Sequence, residues 1–110
     1  MDEAAGELHE VLRLQPEDAR ARTFLGGLYL RMQDPDAAIL HLNRAREIAP
    51  TSPEVHESLG RAYLAKGMAA EAILAFPTAL HCQPDHDAAR RGLEAAEHLR
   101  RGESAPDRGH

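Results

Sequence analysis

The sequence has almost no cysteine, few aromatic residues and no long apolar run. Cys82 is the only cysteine among 110 residues, so the chain cannot form an internal disulfide, and nothing in it indicates an oxidising compartment. No stretch of about 18 consecutive apolar residues occurs, which argues against a membrane-spanning helix. The opening residues also lack the basic and apolar regions of a secretion signal. We therefore expect a single small cytoplasmic domain that does not bind a membrane.

Positive charge is scarce as well, because 13 basic residues stand against 18 acidic ones and the net charge is -5. The imbalance lies in residues 1–18, which contain six acidic residues and one arginine. The rest of the chain is neutral overall and offers no excess of basic residues to neutralise phosphates. The composition therefore predicts that nucleic acid is not a partner.

What the sequence does contain is a repeat of 34 residues. Pro16, Pro50 and Pro84 are separated by this interval, and Leu8, Leu42 and Phe76 follow it too. The same offset superimposes Leu25 on Leu59, Gly26 on Gly60, Tyr29 on Tyr63, Ala38 on Ala72, Ile39 on Ile73, Leu40 on Leu74, and Ala45 on Ala79. Such self-similarity indicates an array of stacked structural units.

Within each unit the apolar residues keep helical spacing, and proline-containing breaks divide the unit into two helices. The pattern predicts six helices, at about residues 2–15, 19–32, 35–48, 53–66, 69–82 and 86–101. Gly26 and Gly60 lie inside two of them, where glycine costs about 1 kcal/mol relative to alanine. Their recurrence predicts close helix contact at both positions. Pro77 departs from the pattern and predicts a kink in the fifth helix.

These residues resemble the tetratricopeptide repeat (TPR) family. Residues 53–86 carry its pattern at Leu59, Gly60, Tyr63, Gly67, Ala72, Phe76, Ala79 and Pro84, and residues 19–52 carry it at Leu25, Gly26, Tyr29, Ala38, Leu42, Ala45 and Pro50. Arg22 and His56 replace the usual tryptophan-type residue. The resemblance implies an all-α fold, a right-handed α-α superhelix (TPR solenoid) of about six antiparallel helices whose first helices line a concave wall.

The phase of the repeat predicts how the domain is divided. Residues 1–18 align with the second half of a unit, residues 19–52 and 53–86 are complete units, and residues 87–101 form a terminal capping helix. The cap is predicted because Glu94 and Glu97 replace the glycine and the tyrosine of the complete units. Together these segments make one TPR array over residues 1–101, and residues 102–110 are expected to be a disordered tail.

The first predicted helix carries apolar residues on two faces, namely Leu8, Val11, Leu12 and Leu14. In a complete unit one of these faces would be covered by a first helix, which residues 1–18 lack. Three interpretations remain open: the face mediates homo-oligomerisation, the acidic helix caps the array, or the chain is a fragment of a longer array.

The resemblance places partner-binding residues along the concave wall. They are Arg20, Thr23, Gly27, Leu30, Arg31, Glu54, Glu57, Arg61, Leu64 and Arg91, with Ala65, Ala88, Ala95 and His98 completing the lining. Arginines can hold carboxylates through paired hydrogen bonds, and leucines offer apolar contact, so the expected ligand is a protein or peptide. The alternative is that these arginines form a solvated face. The carboxylate clamp of chaperone-binding members is absent, because its positions hold Thr23, Gly27, Ser58, Ala88 and Gly92.

Neither an active site nor a cofactor site is predicted. His81, Cys82 and His86 do not make a metal set, because the first two diverge by about 100° on a helix and no second cysteine exists. No nucleophile and base share a helix face, and no phosphate-binding glycine loop occurs. The sequence therefore predicts a non-catalytic adaptor that binds a peptide or helix in its concave groove. Two alternatives remain: an auxiliary TPR segment of a larger enzyme or secretion assembly, and a self-associating scaffold.

Overall fold

A computed structural model describes residues 2–102, and this part of the chain is built from six helices. They are α1 (Asp2–Leu14), α2 (Ala19–Arg31), α3 (Pro35–Ile48), α4 (Pro53–Ala65), α5 (Ala69–Cys82) and α6 (Asp87–Arg100). All six predicted helices are present, and no strand occurs between residues 2 and 102. The predicted all-α solenoid is confirmed. The predicted disordered tail lies, apart from Gly102, outside the described residues.

Capping groups and proline set where the helices begin. Asp18 Oδ1 accepts a hydrogen bond of 3.0 Å from the Ala21 N–H at the start of α2, satisfying one of the free donors of the first turn. Pro53 occupies the first position of α4, where no N–H is needed. At the start of α6 an imidazole takes the capping role, because His86 Nδ1 accepts from the Ala89 N–H at 3.2 Å.

The helices end in two different ways. α2, α4 and α6 are each followed by a residue of positive φ: Gln33 at 60°, Gly67 at 75° and Gly102 at 75°. This conformation reverses the chain sharply. α3 and α5 are followed instead by Ala49 and Gln83, whose φ values are -130° and -145°. Both residues precede a proline, which disfavours helical backbone at the residue before it. Tight left-handed turns therefore join the helices within the α2–α3 and α4–α5 pairs.

Successive helices pack against each other, and α4 also contacts both α2 and α6. Within residues 2–102, the backbones of α1, α3 and α5 do not approach one another closely, although the rings of His9 in α1 and His41 in α3 lie 5.6 Å apart. The six helices thus form a curved stack with α2, α4 and α6 as its inner row and α1, α3 and α5 as its outer row. The stack is elongated and measures 48 × 28 × 20 Å.

Glycines allow the two rows to approach closely. A Cβ atom on Gly26 would lie 2.5 Å from Leu42 Cγ, and one on Gly60 would lie 2.6 Å from the Phe76 ring. The predicted close contact is confirmed at both positions. The structure adds Gly92 of α6, whose Cβ would lie 2.3 Å from the same ring. Phe76 of α5 is therefore held between glycines of α4 and α6.

Three apolar clusters stabilise the stack, and burial is more complete toward its C-terminal end. The N-terminal cluster contains Ala5, Leu12, Ala21 and Leu25, the middle cluster contains Ala38, Leu42, Ala45, Val55, Leu59 and Ala62, and the C-terminal cluster contains Ala72, Phe76, Ala79, Ala89 and Ala96. Every member of the C-terminal cluster is fully buried, whereas Ala5 and Leu12 of α1 remain 8% exposed. α1 is therefore the least buried of the packed helices.

A side chain of each inner helix is hydrogen-bonded to the proline that precedes it by six residues. Arg22 Nε donates to Pro16 O at 3.3 Å, His56 Nε2 donates to Pro50 O at 2.7 Å, and Arg90 Nη2 donates to Pro84 O at 3.3 Å. These donors lie 34 residues apart, where the family usually has a tryptophan-type residue. Each bond ties an inner helix to the connection that leads into it.

Two expectations from the sequence, homo-oligomerisation through α1 and a kink at Pro77, stay predictions. Leu12 of α1 packs against α2, while Val11 and Leu14 are 37% and 66% exposed, and homo-oligomerisation through α1 stays a prediction. α5 continues as one helix through Pro77, whose side chain is exposed. Among the helices of residues 2–102, none combines the length and apolar character that crossing a bilayer requires.

Candidate functional site

The inner row brings together the residues that the resemblance assigned to partner binding. α2 carries Arg20, Thr23, Gly27, Leu30 and Arg31, α4 carries Glu54, Glu57, Arg61 and Leu64, and α6 carries Arg91. Because α4 contacts both α2 and α6, these residues belong to one row of packed helices, and we call the predicted binding surface of this row the concave groove. It is open along its length and runs across three helices.

The charged residues of the concave groove fall into two kinds. Glu57 is largely buried, with a side chain 12% exposed, and its Oε2 lies 2.9 Å from Arg61 Nε. Arg20, Arg31 and Arg91 are exposed and form no salt bridge with any other residue of the described part. Arg61 therefore serves a partly structural role, whereas the other three guanidinium groups remain available to a ligand.

A pocket of about 510 Å³ opens at the N-terminal ends of α2 and α4. Its lining consists of Ala19, Arg20, Thr23, Phe24, Ala49, Ser52, Glu54 and Val55. Three of these residues, Arg20, Thr23 and Glu54, were predicted from the sequence. We call this cavity the α2–α4 pocket.

Phe24 is one of five residues of the α2–α4 pocket that the sequence reasoning missed. Its side chain is 61% exposed. It is one of only two phenylalanines in the chain. The residues 34 and 68 positions further on are Ser58, which is buried, and Gly92, which lies against Phe76. Comparing the three positions could have identified Phe24, because an aromatic ring stands where the other inner helices carry a small residue.

A cluster of three polar rings, from His9, Tyr29 and His41, joins α1, α2 and α3. His9 Nε2 and the Tyr29 hydroxyl are hydrogen-bonded at 3.1 Å. The Tyr29 ring is stacked on His41, with centroids 5.6 Å apart and planes 3° apart. Arg22 Nη1 donates to His41 Nδ1 at 3.4 Å. This network helps to fix α1 on the α2–α3 pair, and the sequence repeat does not reveal it.

The surroundings of His41 disfavour its charged form. Partial burial lowers the pKa of His41 below its ordinary value of 6.5, and the positive charge of Arg22 and the neighbouring His9 lower it further. A neutral imidazole is what the contact with Arg22 requires, because Nδ1 has to accept that hydrogen bond. The cluster therefore favours the neutral form of His41.

The residues that line the groove determine what it can do chemically. No group of three or more histidine, cysteine, aspartate or glutamate side chains within residues 2–102 is arranged to hold a metal ion. The α2–α4 pocket is open to solvent along one side, and its two ionisable residues, Arg20 and Glu54, flank an apolar lining. Such a lining can accept an apolar side chain while the rim pairs with charges.

Stacked helix pairs with an open inner surface define a repeat protein of the solenoid class. A family model described as tetratricopeptide repeat matches residues 1–62 and 31–97. The chain therefore belongs to the tetratricopeptide repeat family. These repeats are non-catalytic modules that generally mediate protein–protein interaction.

A solved structure supports the same fold. The chain is similar to a variant of the O-GlcNAc transferase of Thermobaculum terrenum, with a TM-score of 0.82 and 29% sequence identity. The match covers 86% of this chain and 18% of that one, so the chain spans less than a fifth of the protein it resembles. No curated protein matches the chain significantly.

Proposed function

We propose that the chain is a non-catalytic cytoplasmic adaptor that binds a peptide or helix of another protein in its concave groove. The observation that supports this most is that all ten residues assigned to partner binding lie on α2, α4 and α6, and that α4 contacts both of the other two helices. An open, elongated surface accepts a segment of a partner, whereas catalysis needs a pocket that excludes water. The partner is accordingly a protein rather than a nucleic acid, a membrane or a cofactor.

The arginines of the groove indicate how a partner would be held. Arg31 and Arg91 are exposed and have no salt bridge within residues 2–102, so a carboxylate of the partner can pair with each of them. Charge-assisted hydrogen bonds from a guanidinium are among the stronger polar contacts at interfaces. Leu30 and Leu64 are half-buried on the same helices and supply apolar contact beside them.

Pull-down followed by mass spectrometry tests this proposal. The bait is compared with the double variant Arg31→Glu plus Arg91→Glu, which reverses charge without breaking an observed salt bridge. Arg61 is left intact, because an acidic residue there would face Glu57. The matched control is Arg46→Glu plus Arg100→Glu, which changes two exposed arginines outside the groove. We expect the groove variant alone to lose specific partners, and recovery of the same proteins by all three baits would refute the groove.

A second candidate is an auxiliary TPR segment of a larger enzyme. It is favoured by the similarity to part of a transferase chain. In this role the groove would position the protein substrate of a separate catalytic domain. An antibody against the chain distinguishes the two candidates in cell extracts. A band near 12.1 kDa supports the adaptor, whereas a much larger band that carries transferase activity supports the auxiliary segment.

A further inference from the structure

The α2–α4 pocket has the size and lining of a ligand site. Its volume of about 510 Å³ lies within the range of about 300–1,000 Å³ that is usual for small-molecule sites. The floor includes Val55, which is 1% exposed, and one wall is the exposed ring of Phe24. Ala19 and Ala49 complete the apolar part. One large apolar side chain can therefore be desolvated here.

The rim of the pocket is polar, and its two charges are not equivalent. Glu54 lies in the first turn of α4 and accepts a hydrogen bond of 3.2 Å from the Ser52 hydroxyl, so its charge is already stabilised by a donor and by the helix N-terminus. Arg20 has no salt bridge with any residue between 2 and 102. The unsatisfied charge at the rim is therefore positive.

The rest of the concave groove has the same sign. Its assigned residues include four arginines and two glutamates, and one glutamate is already paired with Arg61. The whole chain, in contrast, has 13 basic and 18 acidic residues. The groove is thus positive on a protein that is otherwise negative, which favours approach of an acidic partner and repels a basic one.

From these observations we infer that the groove binds an acidic protein segment with one large apolar side chain, and that this side chain enters the α2–α4 pocket against Phe24 and Val55. Acidic residues of the same segment pair with Arg20 at the rim and with Arg31 or Arg91 further along. This inference rests on the proposed function and adds to it the chemistry of the partner and the place of its anchor.

The contributions of the two contacts differ in kind. Burying the apolar anchor against an aromatic ring supplies most of the affinity, since aromatic residues are enriched among the residues that dominate binding. The exposed Arg20 contributes more to selectivity and to the rate of association, and its effect weakens as salt screens it. The two contributions can therefore be separated by mutation and by ionic strength.

Selection from a random-peptide phage library tests the inference with a defined probe. The full chain is the target, and enriched peptides are synthesised and titrated by fluorescence anisotropy. We expect enriched peptides to be acidic and to share one large apolar residue. Phe24→Ala should weaken their binding about tenfold or more, and Arg20→Glu should weaken it most at low salt.

Matched controls keep loss of folding separate from loss of binding. Leu74→Ala removes another exposed apolar side chain, 73% exposed on the outer helix α5, and Arg46→Glu reverses an exposed charge on α3. Both should bind the peptides like the wild type. Circular dichroism melting of all variants should show native helix content, because Phe24 and Arg20 are exposed.

The outcomes separate this inference from the proposed function. Enriched peptides that are basic, or that bind Phe24→Ala as tightly as wild type, overturn the pocket and its partner chemistry. If peptides that are insensitive to Phe24→Ala still lose affinity for Arg31→Glu plus Arg91→Glu, groove binding stands and only the pocket fails. If no peptide is enriched, or if every groove variant binds like wild type, the proposed function fails together with the inference.

Discussion

The α2–α3 pair and the α4–α5 pair have the same architecture but fill their contacts differently. Leu42 lies against Gly26 in the first pair, whereas Phe76 in the second lies against Gly60 and also against Gly92 of the next helix. The leucine therefore packs against one glycine, and the phenylalanine packs against two. Both pairs therefore have the same close contact between an inner and an outer helix, but the outer-helix side chain that makes it differs.

The largest expected difference between the pairs comes from removing their central side chains. Phe76→Ala should lower the free energy of unfolding by about 3–5 kcal/mol, because the facing glycines have no side chains to fill the cavity. Leu42→Ala should cost less, in the lower part of the range of about 2–5 kcal/mol for buried leucines, because the smaller side chain leaves a smaller cavity. Urea denaturation followed by circular dichroism measures both. A greater loss of stability for Leu42→Ala than for Phe76→Ala would contradict this account of the two pairs.

Adding a methyl group tests the same contact from the opposite side. Gly92→Ala should destabilise by about 1–3 kcal/mol, because the Phe76 ring is held on both sides and cannot move away. Gly27→Ala is the matched control in an inner helix, since nothing beyond the adjoining residues and backbone of its own helix lies within 4 Å of the added Cβ. It should stabilise the protein by up to about 1 kcal/mol through helix propensity. Equal melting temperatures for the two variants would contradict this account of Phe76.

The turns within the pairs offer a smaller contrast. Gln33 has a φ of 60° where the second pair has Gly67 at 75°, and a side chain in this conformation costs about 1 kcal/mol. Gln33→Gly should therefore raise the free energy of unfolding by up to about 1 kcal/mol, and Gly67→Ala should lower it by a similar amount. Thermal melts of both variants measure the effects. A loss of stability in Gln33→Gly would show that its side chain contributes something the turn geometry does not reveal.

The smallest expected difference is a pH dependence confined to the first pair, because Ala75 stands where the first pair has His41. The pKa of His41 is lowered in the folded chain, so the unfolded chain binds more protons as the pH falls below about 6.5. Stability should decrease in that range. Melting temperatures of His41→Gln should fall less between pH 7 and 5 than those of the wild type or of His81→Gln, an exposed control. Parallel curves for all three would exclude His41 as a source of the dependence.

The fold could be predicted from the sequence because its determinants recur at a fixed interval. The glycine contacts at Gly26 and Gly60 are visible in the repeat, and so are the ends of all six helices to within one residue. Gly92 could not be found in this way, since its equivalents are Phe24 and Ser58. Its role depends on the size of the ring that it meets.

The candidate site was only partly predictable. The family pattern locates the inner helices and therefore the ten residues assigned to the groove. The i, i+4 spacing of Glu57 and Arg61 in α4 permits their pairing. The pattern does not reveal that Glu57 is buried or that Phe24 is exposed, because both depend on how neighbouring helices pack. The His9, Tyr29 and His41 cluster combines residues of three helices, and no spacing along the chain indicates such a meeting.

The bonds from each inner helix to the preceding proline have a mechanical consequence. At the junction before α4 the bond is short, 2.7 Å, and comes from the imidazole of His56. The junctions before α2 and α6 use the longer side chains of Arg22 and Arg90, each at 3.3 Å. An imidazole has fewer rotatable bonds than an arginine side chain, so it tolerates less change in angle between neighbours. We therefore expect the angle between neighbouring helices to vary less at the middle junction than at the first and last junctions. The two ends of the stack then move toward a bound partner more readily than its centre does.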